Sequence, residues 1–280
     1  MHAEGALNTV SAFLLGTVQG LTEFLPVSSS GHLVIAQHLL GWREPAVFFD
    51  ICLHIGTLLA VLIILRKDVI DLIRGGLGVV LRKPFGNGVP LELPERTFFL
   101  VLVGTLPTVL MGLFARHYLE EVFASLMVVS FNLLLTGTFL WLTRYMAPLS
   151  PKSILSTRWQ HTLWIGLAQG FALAPGISRS GITIAAGLFL GLDRDWAGRF
   201  SFLLFVPAAI GAVILESTHL DLSTVQVMPT LMGIITATVT GCIALRLLLG
   251  LVRKGRFYVF APYCWGLGIF FLLWSVVSPN

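Results

Sequence analysis

Charged residues are scarce in this chain of 280 residues. Only 11% are Asp, Glu, Lys or Arg, whereas 56% are hydrophobic and the mean hydropathy is +0.88. A soluble domain carries about 25% charged residues, so this composition cannot supply a water-facing surface of ordinary polarity. It excludes a water-soluble enzyme, a disordered chain and a nucleic-acid binder, and it predicts a protein whose solvent is lipid.

Cysteine is also rare. Cys52, Cys242 and Cys264 are far apart in the sequence, and each lies in an apolar stretch. Their spacing matches neither a metal site nor a disulfide framework, so we interpret them as small buried residues. The N-terminal residues lack a charged segment followed by a small-residue cleavage site, and we therefore expect no signal peptide.

Six apolar windows are long enough to cross a bilayer, which takes about 20 residues. They are residues 48–65, 97–115, 122–142, 199–215, 227–251 and 257–277. Four shorter stretches form two pairs, 6–20 with 33–41 and 161–174 with 182–192. The connectors within the pairs are rich in Ser, Pro and Gly, which break helices. This pattern predicts two re-entrant hairpins that enter the membrane and return to the same side.

The distribution of Lys and Arg predicts the orientation. If only the six windows cross the membrane, 15 of the 18 basic residues lie opposite the termini, and Arg43 and Arg116 lie on the terminal side. Basic loops face the cytoplasm, so both termini are predicted to lie outside it. The basic segment 66–96 is interpreted as a loop that determines this topology and contacts anionic lipid.

An internal repeat relates the two halves. Gly16-x-x-Gln19-Gly20 matches Gly166-x-x-Gln169-Gly170 at an offset of 150 residues, and Ser30-Gly31 matches Ser180-Gly181 at the same offset. Three long windows follow each hairpin, and because three is odd the second half must be upside down. The sequence therefore predicts an all-α polytopic membrane protein with six transmembrane helices and two re-entrant hairpins, in one domain of two inverted repeats, 1–145 and 155–280.

Two charged residues fall inside the predicted hairpins, where burial in lipid is costly. Glu23 lies four residues after Gln19, and Arg179 presents a rigid fork of donors that suits phosphate oxygens. These residues would act in the chemistry of the site, or they would form an ion pair that holds the two hairpins together. The two roles are compatible. Asp50 and His54 lie one turn apart and are interpreted first as a mutually satisfied pair, with cation binding or support of the hairpin as alternatives.

The serines of the two breaks are predicted to precede helices whose N-termini attract anions. Ser28, Ser29 and Ser30 would precede a helix beginning near Gly31, whereas Ser178 and Ser180 would precede one beginning near Gly181. Ser30 is expected to be the helix cap. Another hydroxyl of the run would be a nucleophile, with Glu23 or His32 as its base.

These motifs resemble the signatures of the bacterial undecaprenyl-diphosphate phosphatases, the bacitracin-resistance family. QGLTEFLPVSSSGH at 19–32 resembles the family's (E/Q)xxxE motif with its serine-rich turn, and PGISRSGIT at 175–183 resembles its PGxSRSxxT motif. The resemblance implies hydrolysis of undecaprenyl diphosphate to undecaprenyl phosphate, which recycles the lipid carrier of peptidoglycan synthesis. It implies a multi-pass protein of the bacterial cytoplasmic membrane whose active site faces outward.

The resemblance also implies roles for single residues. It makes Glu23, Ser29, His32 and Arg179 catalytic. It makes further residues line the substrate site: Gln19, Ser28, Ser30, Ser178, Ser180 and Thr183. Mg²⁺ or Ca²⁺ would bridge Glu23 and the diphosphate, although Gln19 stands where many relatives have Glu, which weakens such a site by one charge.

A second function and the oligomeric state stay open at this point. Inverted repeats and broken helices also suit a flippase that carries the lipid phosphate through the same anion site. The expected partners are undecaprenyl diphosphate and membrane lipid, and the sequence leaves open whether the protein is a homo-oligomer.

Overall fold

The computed structural model describes residues 7–42, 47–81, 91–123, 126–146, 150–217 and 226–277. Arg43 lies outside these ranges. The described residues form eleven α-helices and no strand beyond a single bridge between Lys152 and Leu192. The helices are α1 Thr9–Phe24, α2 Ser29–Leu39, α3 Val47–Ile64, α4 Arg66–Leu81, α5 Leu93–Phe123, α6 Leu126–Leu142, α7 Trp159–Phe171, α8 Arg179–Phe189, α9 Arg194–Ser217, α10 Val227–Arg253 and α11 Ala261–Val277.

Within the described ranges, five segments are long and apolar enough to cross a membrane. They are Leu93–Phe114, Leu126–Tyr145, Arg194–Leu215, Val227–Arg253 and Phe257–Ser275. A sixth crossing is available if α3 counts together with α4, to which it joins at a bend of 90°. Large apolar side chains such as Leu102 and Leu113 are exposed on these helices, as lipid contact requires. The chain is thus an all-helical multi-pass membrane protein, and each predicted window falls on one of these helices.

The prediction of a loop at 66–96 is wrong for residues 66–81 and from Leu93 onward, whereas residues 82–90 lie outside the described ranges. Residues 66–81 form α4, and α5 already begins at Leu93. The reason is that α4 is amphipathic: Val69 and Gly75 are buried on one side, and α4 packs against α5, whereas Arg74 on another side is exposed. The charged face lowered the average hydropathy enough to hide a helical period.

Glycine allows the closest helix contacts. A Cβ added at Gly16 in α1 would lie 2.6 Å from the carbonyl oxygen of Gly233 in α10, and one at Gly166 in α7 would overlap the carbonyl of Gly104 in α5. Helices approach this closely in membranes only where small residues meet. As a result α1 packs along α10, and α7 packs along α5.

Helix α9 lies at the centre of the fold. Phe200, Phe202, Leu203 and Leu204 are completely buried, and α9 contacts α3, α5, α8 and α10. Near its start, Arg199 pairs with Asp68 of α4. Of the short helix pairs α1–α2 and α7–α8, the second thus packs on α9 through α8, whereas α1 packs on α10 and α7 on α5.

Candidate active site

The breaks between the short helices are in contact. The first break lies between the end of α1 at Phe24 and the start of α2, and the second lies between α7 and α8. The hydroxyl of Ser180 donates a hydrogen bond of 2.8 Å to the carbonyl oxygen of Phe24. The thiol of Cys264 donates to the carbonyl of Pro26 at 3.1 Å, so α11 also holds the first break. The two breaks therefore form one polar region inside the helix bundle.

Glu23 lies at the centre of this region and is only 9% exposed. Its Oε1 accepts a hydrogen bond of 2.7 Å from Nη2 of Arg179. Its Oε2 accepts from Oγ of Ser29 at 2.7 Å and from Nε2 of Gln19 at 3.1 Å. A buried carboxylate is stable only with such partners. An acid, a hydroxyl and a guanidinium predicted from distant motifs are thus in direct contact.

Arg179 uses only part of its donor set in this pair. Its Nη1 is buried and has no hydrogen-bond partner among the described residues. The guanidinium carbon lies 3.8 Å from the ring centroid of Phe205, so one face of the group packs on an aromatic ring. The orientation is therefore held from two sides, while one N–H group is left to bind an anion.

Glu23 and Arg179 border a cleft of about 200 Å³. Three further polar residues, His54, Thr108 and Gln169, line the cleft, and α9 supplies an apolar wall that includes Phe205. This cleft is the candidate site for a phosphate-bearing ligand, because it combines the positive charge of the Arg179 side chain with few other polar groups in an otherwise apolar lining.

His32 lies apart from that cleft. It borders a separate apolar groove of about 260 Å³, which we call the α2–α6–α11 groove after the helices that supply its apolar lining. The Nδ1–H of His32 donates to the carbonyl of Ser28 at 2.8 Å, and its Nε2 then accepts from the hydroxyl of Tyr263 at 2.6 Å. Ser30 lines the same groove. Of the four residues predicted to be catalytic, three meet and His32 faces the other side of the break.

The predicted helix starts are two residues late. Helix α2 begins at Ser29 and α8 at Arg179. Ser30 is consequently not the cap, and it lies exposed in the first turn of α2. Ser28 occupies the cap position with a φ of 68°, a conformation unfavourable for a residue with a Cβ, and its side chain makes no capping hydrogen bond.

The polar residues of the second motif are bound to protein groups. Ser178 caps α8 by accepting from the N–H of Gly181 at 3.2 Å. Thr183 bonds to the carbonyl of Arg179 at 2.7 Å and to Ser201 at 2.5 Å. Like Ser180, they are buried and border neither the cleft nor the α2–α6–α11 groove. Their observed role is to hold the second break in position.

Asp50 and His54 are arranged differently from a simple pair of side chains. Gln37 donates to the carboxylate of Asp50 at 2.6 Å, whereas Nδ1 of His54 donates to the backbone carbonyl of Asp50 at 2.8 Å. The other ring nitrogen of His54 lies 3.9 Å from Oε2 of Glu23. His54 thus belongs to the cleft, a placement that follows from helix packing and that no sequence motif indicates.

Among the described residues, Glu23 is the one carboxylate that the cleft offers to a divalent cation. No group of three His, Cys, Asp or Glu residues suitable for a metal occurs in the described part of the chain. Beside Glu23, however, the Oε1 of Gln19 is buried and accepts no hydrogen bond from a described residue. These two oxygens fit a cation that takes most of its remaining ligands from a bound diphosphate and water.

Known proteins resemble this chain along nearly its whole length. A relative named undecaprenyl-diphosphatase from Desulfosudis oleivorans is 47% identical over 94% of this chain and 97% of its own. Relatives of the same name are 45% identical in Desulforapulum autotrophicum, over 95% and 98% of the two chains, and 38% identical in Methanobrevibacter smithii, over 96% and 99%.

The family comparison covers the same region as the helix bundle. The family model described as bacitracin resistance protein BacA matches residues 12–270, which contain both breaks, the cleft and all the candidate residues. This chain therefore belongs to the BacA family of bacitracin resistance proteins.

Proposed function

We propose that the protein hydrolyses undecaprenyl diphosphate to undecaprenyl phosphate and inorganic phosphate, and so recycles the lipid carrier of cell-wall synthesis and gives resistance to bacitracin. The observation that carries this proposal is the cluster of Glu23, Ser29 and Arg179 inside a membrane protein, in which Glu23 and Arg179 line a cleft and Ser29 is hydrogen-bonded to Glu23. Its support comes from relatives named for this activity.

Arg179 would bind the diphosphate. Its free Nη1 donates to a phosphate oxygen, and its positive charge stabilises the transferring phosphoryl group. The N-termini of α2 and α8, at Ser29 and Arg179, add backbone N–H groups and a partial positive charge. Recognition of the terminal phosphate would thus combine a side chain with two helix ends.

Ser29 would be the nucleophile and Glu23 its base. Ser29 Oγ already donates its proton to Glu23 at 2.7 Å, whereas both ring nitrogens of His32 are engaged with Ser28 and Tyr263. As Oγ bonds to the terminal phosphorus, the bond from phosphorus to the bridging oxygen breaks. Undecaprenyl phosphate leaves with that oxygen, and Glu23 takes the serine proton.

Water then releases the phosphate. Its oxygen bonds to phosphorus, the phosphorus–Oγ bond breaks, and Glu23 returns its proton to Ser29. Both water protons leave with the inorganic phosphate, as H₂PO₄⁻. In the alternative without a covalent intermediate, Glu23 orients a water molecule that attacks the terminal phosphorus directly.

With Mg²⁺ or Ca²⁺ bound at Glu23 and Gln19, the cation would neutralise charge on the diphosphate.

The test is phosphate release from undecaprenyl diphosphate by purified protein in detergent, with and without a chelator. Ser29→Ala should lower kcat at least about 1,000-fold, because it removes the nucleophile. Ser30→Ala is the matched comparison: Ser30 borders the α2–α6–α11 groove and makes no hydrogen bond to Glu23 in the described structure, so any effect should be on KM and not on kcat. Equal losses in the two variants, or a greater loss in Ser30→Ala, would remove Ser29 from this role.

Transport of the lipid phosphate in vesicles without phosphate release would instead favour the flippase.

We also propose that the single domain consists of two inverted repeats, 1–145 and 155–280, each opening with a re-entrant hairpin. Helix α1 packs on α10 of the other half, and its counterpart α7 packs on α5 of the first half. The matched residues Gly16 and Gly166 make these contacts at Gly233 and Gly104. If a two-fold axis relates the halves, a helix of one half that packs on the other half must have a counterpart that packs back in the same way, as α1 and α7 do.

The prenyl chain and the membrane orientation complete the proposal. The α2–α6–α11 groove, with His32 and Ser30 at its edge, offers an apolar surface beside the first break for the lipid tail. The excess of Lys and Arg opposite the termini favours termini that lie outside the bacterial cytoplasmic membrane, and the family resemblance implies that the cleft opens on the same side.

A further inference from the structure

Gln169 is a polar residue of the cleft that the proposed reaction leaves without a role. It lies in α7, is 2% exposed and lines the cleft together with Glu23 and Arg179. Its Oε1 is buried and accepts no hydrogen bond from any described residue. An acceptor left unsatisfied in this way costs roughly 1–3 kcal/mol, so a bound group that donates to it would recover that energy.

The orientation of the amide is determined by its neighbours. Nε2 of Gln169 lies 3.2 Å from Oγ1 of Thr108 and 3.5 Å from the carbonyl oxygen of Leu204. The backbone carbonyl oxygen of Leu204 can only accept a hydrogen bond. The hydroxyl of Thr108 gives its single proton to the carbonyl of Gly166 at 3.1 Å, so it too must accept from Gln169. Both neighbours require a donor, which fixes the NH₂ group on their side and leaves Oε1 as the amide atom without a described partner.

The chemistry of the ligand follows from this acceptor. A fully ionised phosphate offers only acceptors and would bind Nη1 of Arg179, not Oε1 of Gln169. The other reactant is water. It always carries O–H donors, and it must be oriented before it can attack phosphorus. Resting on the proposed hydrolysis, we infer that Gln169 positions the attacking water by accepting one of its hydrogen bonds, and that Thr108 holds the amide in the required orientation.

The step keeps the balance given for the hydrolysis. Gln169 takes no proton; it orients the O–H bond so that a lone pair of the water oxygen faces phosphorus. That oxygen bonds to phosphorus as the leaving oxygen departs, which is the bridging oxygen in the direct route and Oγ of Ser29 in the covalent route. Because orientation is needed only in the reaction and not in substrate binding, its loss should lower kcat without raising KM. In the direct route KM stays nearly unchanged. In the covalent route KM falls together with kcat, because water attacks after undecaprenyl phosphate has left.

The decisive variant is Gln169→Met, which keeps a side chain of similar length and removes the acceptor. In detergent with undecaprenyl diphosphate, kcat should fall about 100-fold, as expected when an attacking group loses its position. KM should not rise, and the concentration of Mg²⁺ giving half-maximal activity should stay within about twofold. An unchanged kcat, a rise confined to KM, or a shift in the Mg²⁺ dependence would each overturn the inference, the last two in favour of a phosphate or a metal ligand.

Thr108 provides a second variant should Gln169→Met fail to fold, which thermal unfolding will reveal. Thr108→Val removes the hydroxyl that holds the amide and should also lower kcat without raising KM, whereas Thr108→Ser keeps the hydroxyl and should lose less. Equal kcat values for Thr108→Val and Thr108→Ser would contradict the role of Thr108 and of the fixed amide. If the unaltered protein releases no phosphate, the proposed function itself fails; if it is active and the Gln169 and Thr108 variants match it, only this inference fails.

Discussion

Glu23 and Arg179 serve both the fold and the proposed chemistry. Their ion pair of 2.7 Å joins the first break to the start of α8, and the same two groups face the cleft. Removing either partner would leave the other charge buried and uncompensated, which is costly in a protein interior. Variants that keep the charge and alter only its geometry are therefore the informative ones at this site.

Arg179→Lys is such a variant. An ammonium group can pair with Glu23 but cannot also present a second N–H group in the fixed plane of a guanidinium. We expect kcat/KM for undecaprenyl diphosphate to fall about 100-fold, the effect of losing a charge-assisted hydrogen bond of about 3 kcal/mol. Thermal unfolding of the same variant provides the control for folding. Turnover near that of the unaltered protein would remove the guanidinium from phosphate binding.

At the scale of helices, average apolarity predicts long spans well and short amphipathic helices poorly. The six predicted windows coincide with helices because continuous apolar runs must be helical in lipid. Helix α4 was missed because its charged face dilutes the average. The helix starts at Ser29 and Arg179 were missed because capping depends on a local backbone geometry, such as the φ of Ser28, that several serines in a row leave undecided.

The same contrast applies to the site. The contact between Glu23 and Arg179 was predictable, since two long motifs and an internal repeat indicate where the breaks lie. The places of His54, Thr108 and Gln169 were not, because each depends on how α3, α5 and α7 pack around the cleft. His32 shows the converse: it is close to Ser29 in sequence, but the direction of α2 turns it toward Tyr263.

Close packing between α1 and α10 can be tested through Gly16. Gly16→Ala places a methyl group 2.6 Å from the carbonyl oxygen of Gly233, so α1 must move, at a cost of about 1–3 kcal/mol. We expect a lower midpoint of thermal unfolding and, because α1 carries Glu23, lower activity. Gly250→Ala is the control: it lies inside α10 with no atom within 4 Å of the added carbon, and should be neutral or up to about 1 kcal/mol stabilising. Equal midpoints for both variants would contradict the packing argument.

For the whole molecule, the proposed orientation assigns opposite sides of the membrane to two exposed positions. Ser156 precedes α7 on the basic side, and Gln226 precedes α10 on the side of the termini. A membrane-impermeant maleimide should label Gln226→Cys in spheroplasts and Ser156→Cys only after lysis. The unaltered protein is the control, since Cys52 and Cys264 are buried and Cys242 is partly buried. The opposite labelling pattern would reverse the orientation.

The right-angled bend between α3 and α4 bears on the lipid around the protein. Helix α3 has 18 residues, about 27 Å of helix, which is shorter than a hydrocarbon core of about 30 Å. A short crossing of this kind draws the two leaflets together locally. Since α3 carries His54 into the cleft, we expect the bilayer to be thinnest beside the site, which would shorten the descent of a charged headgroup from the surface to Glu23.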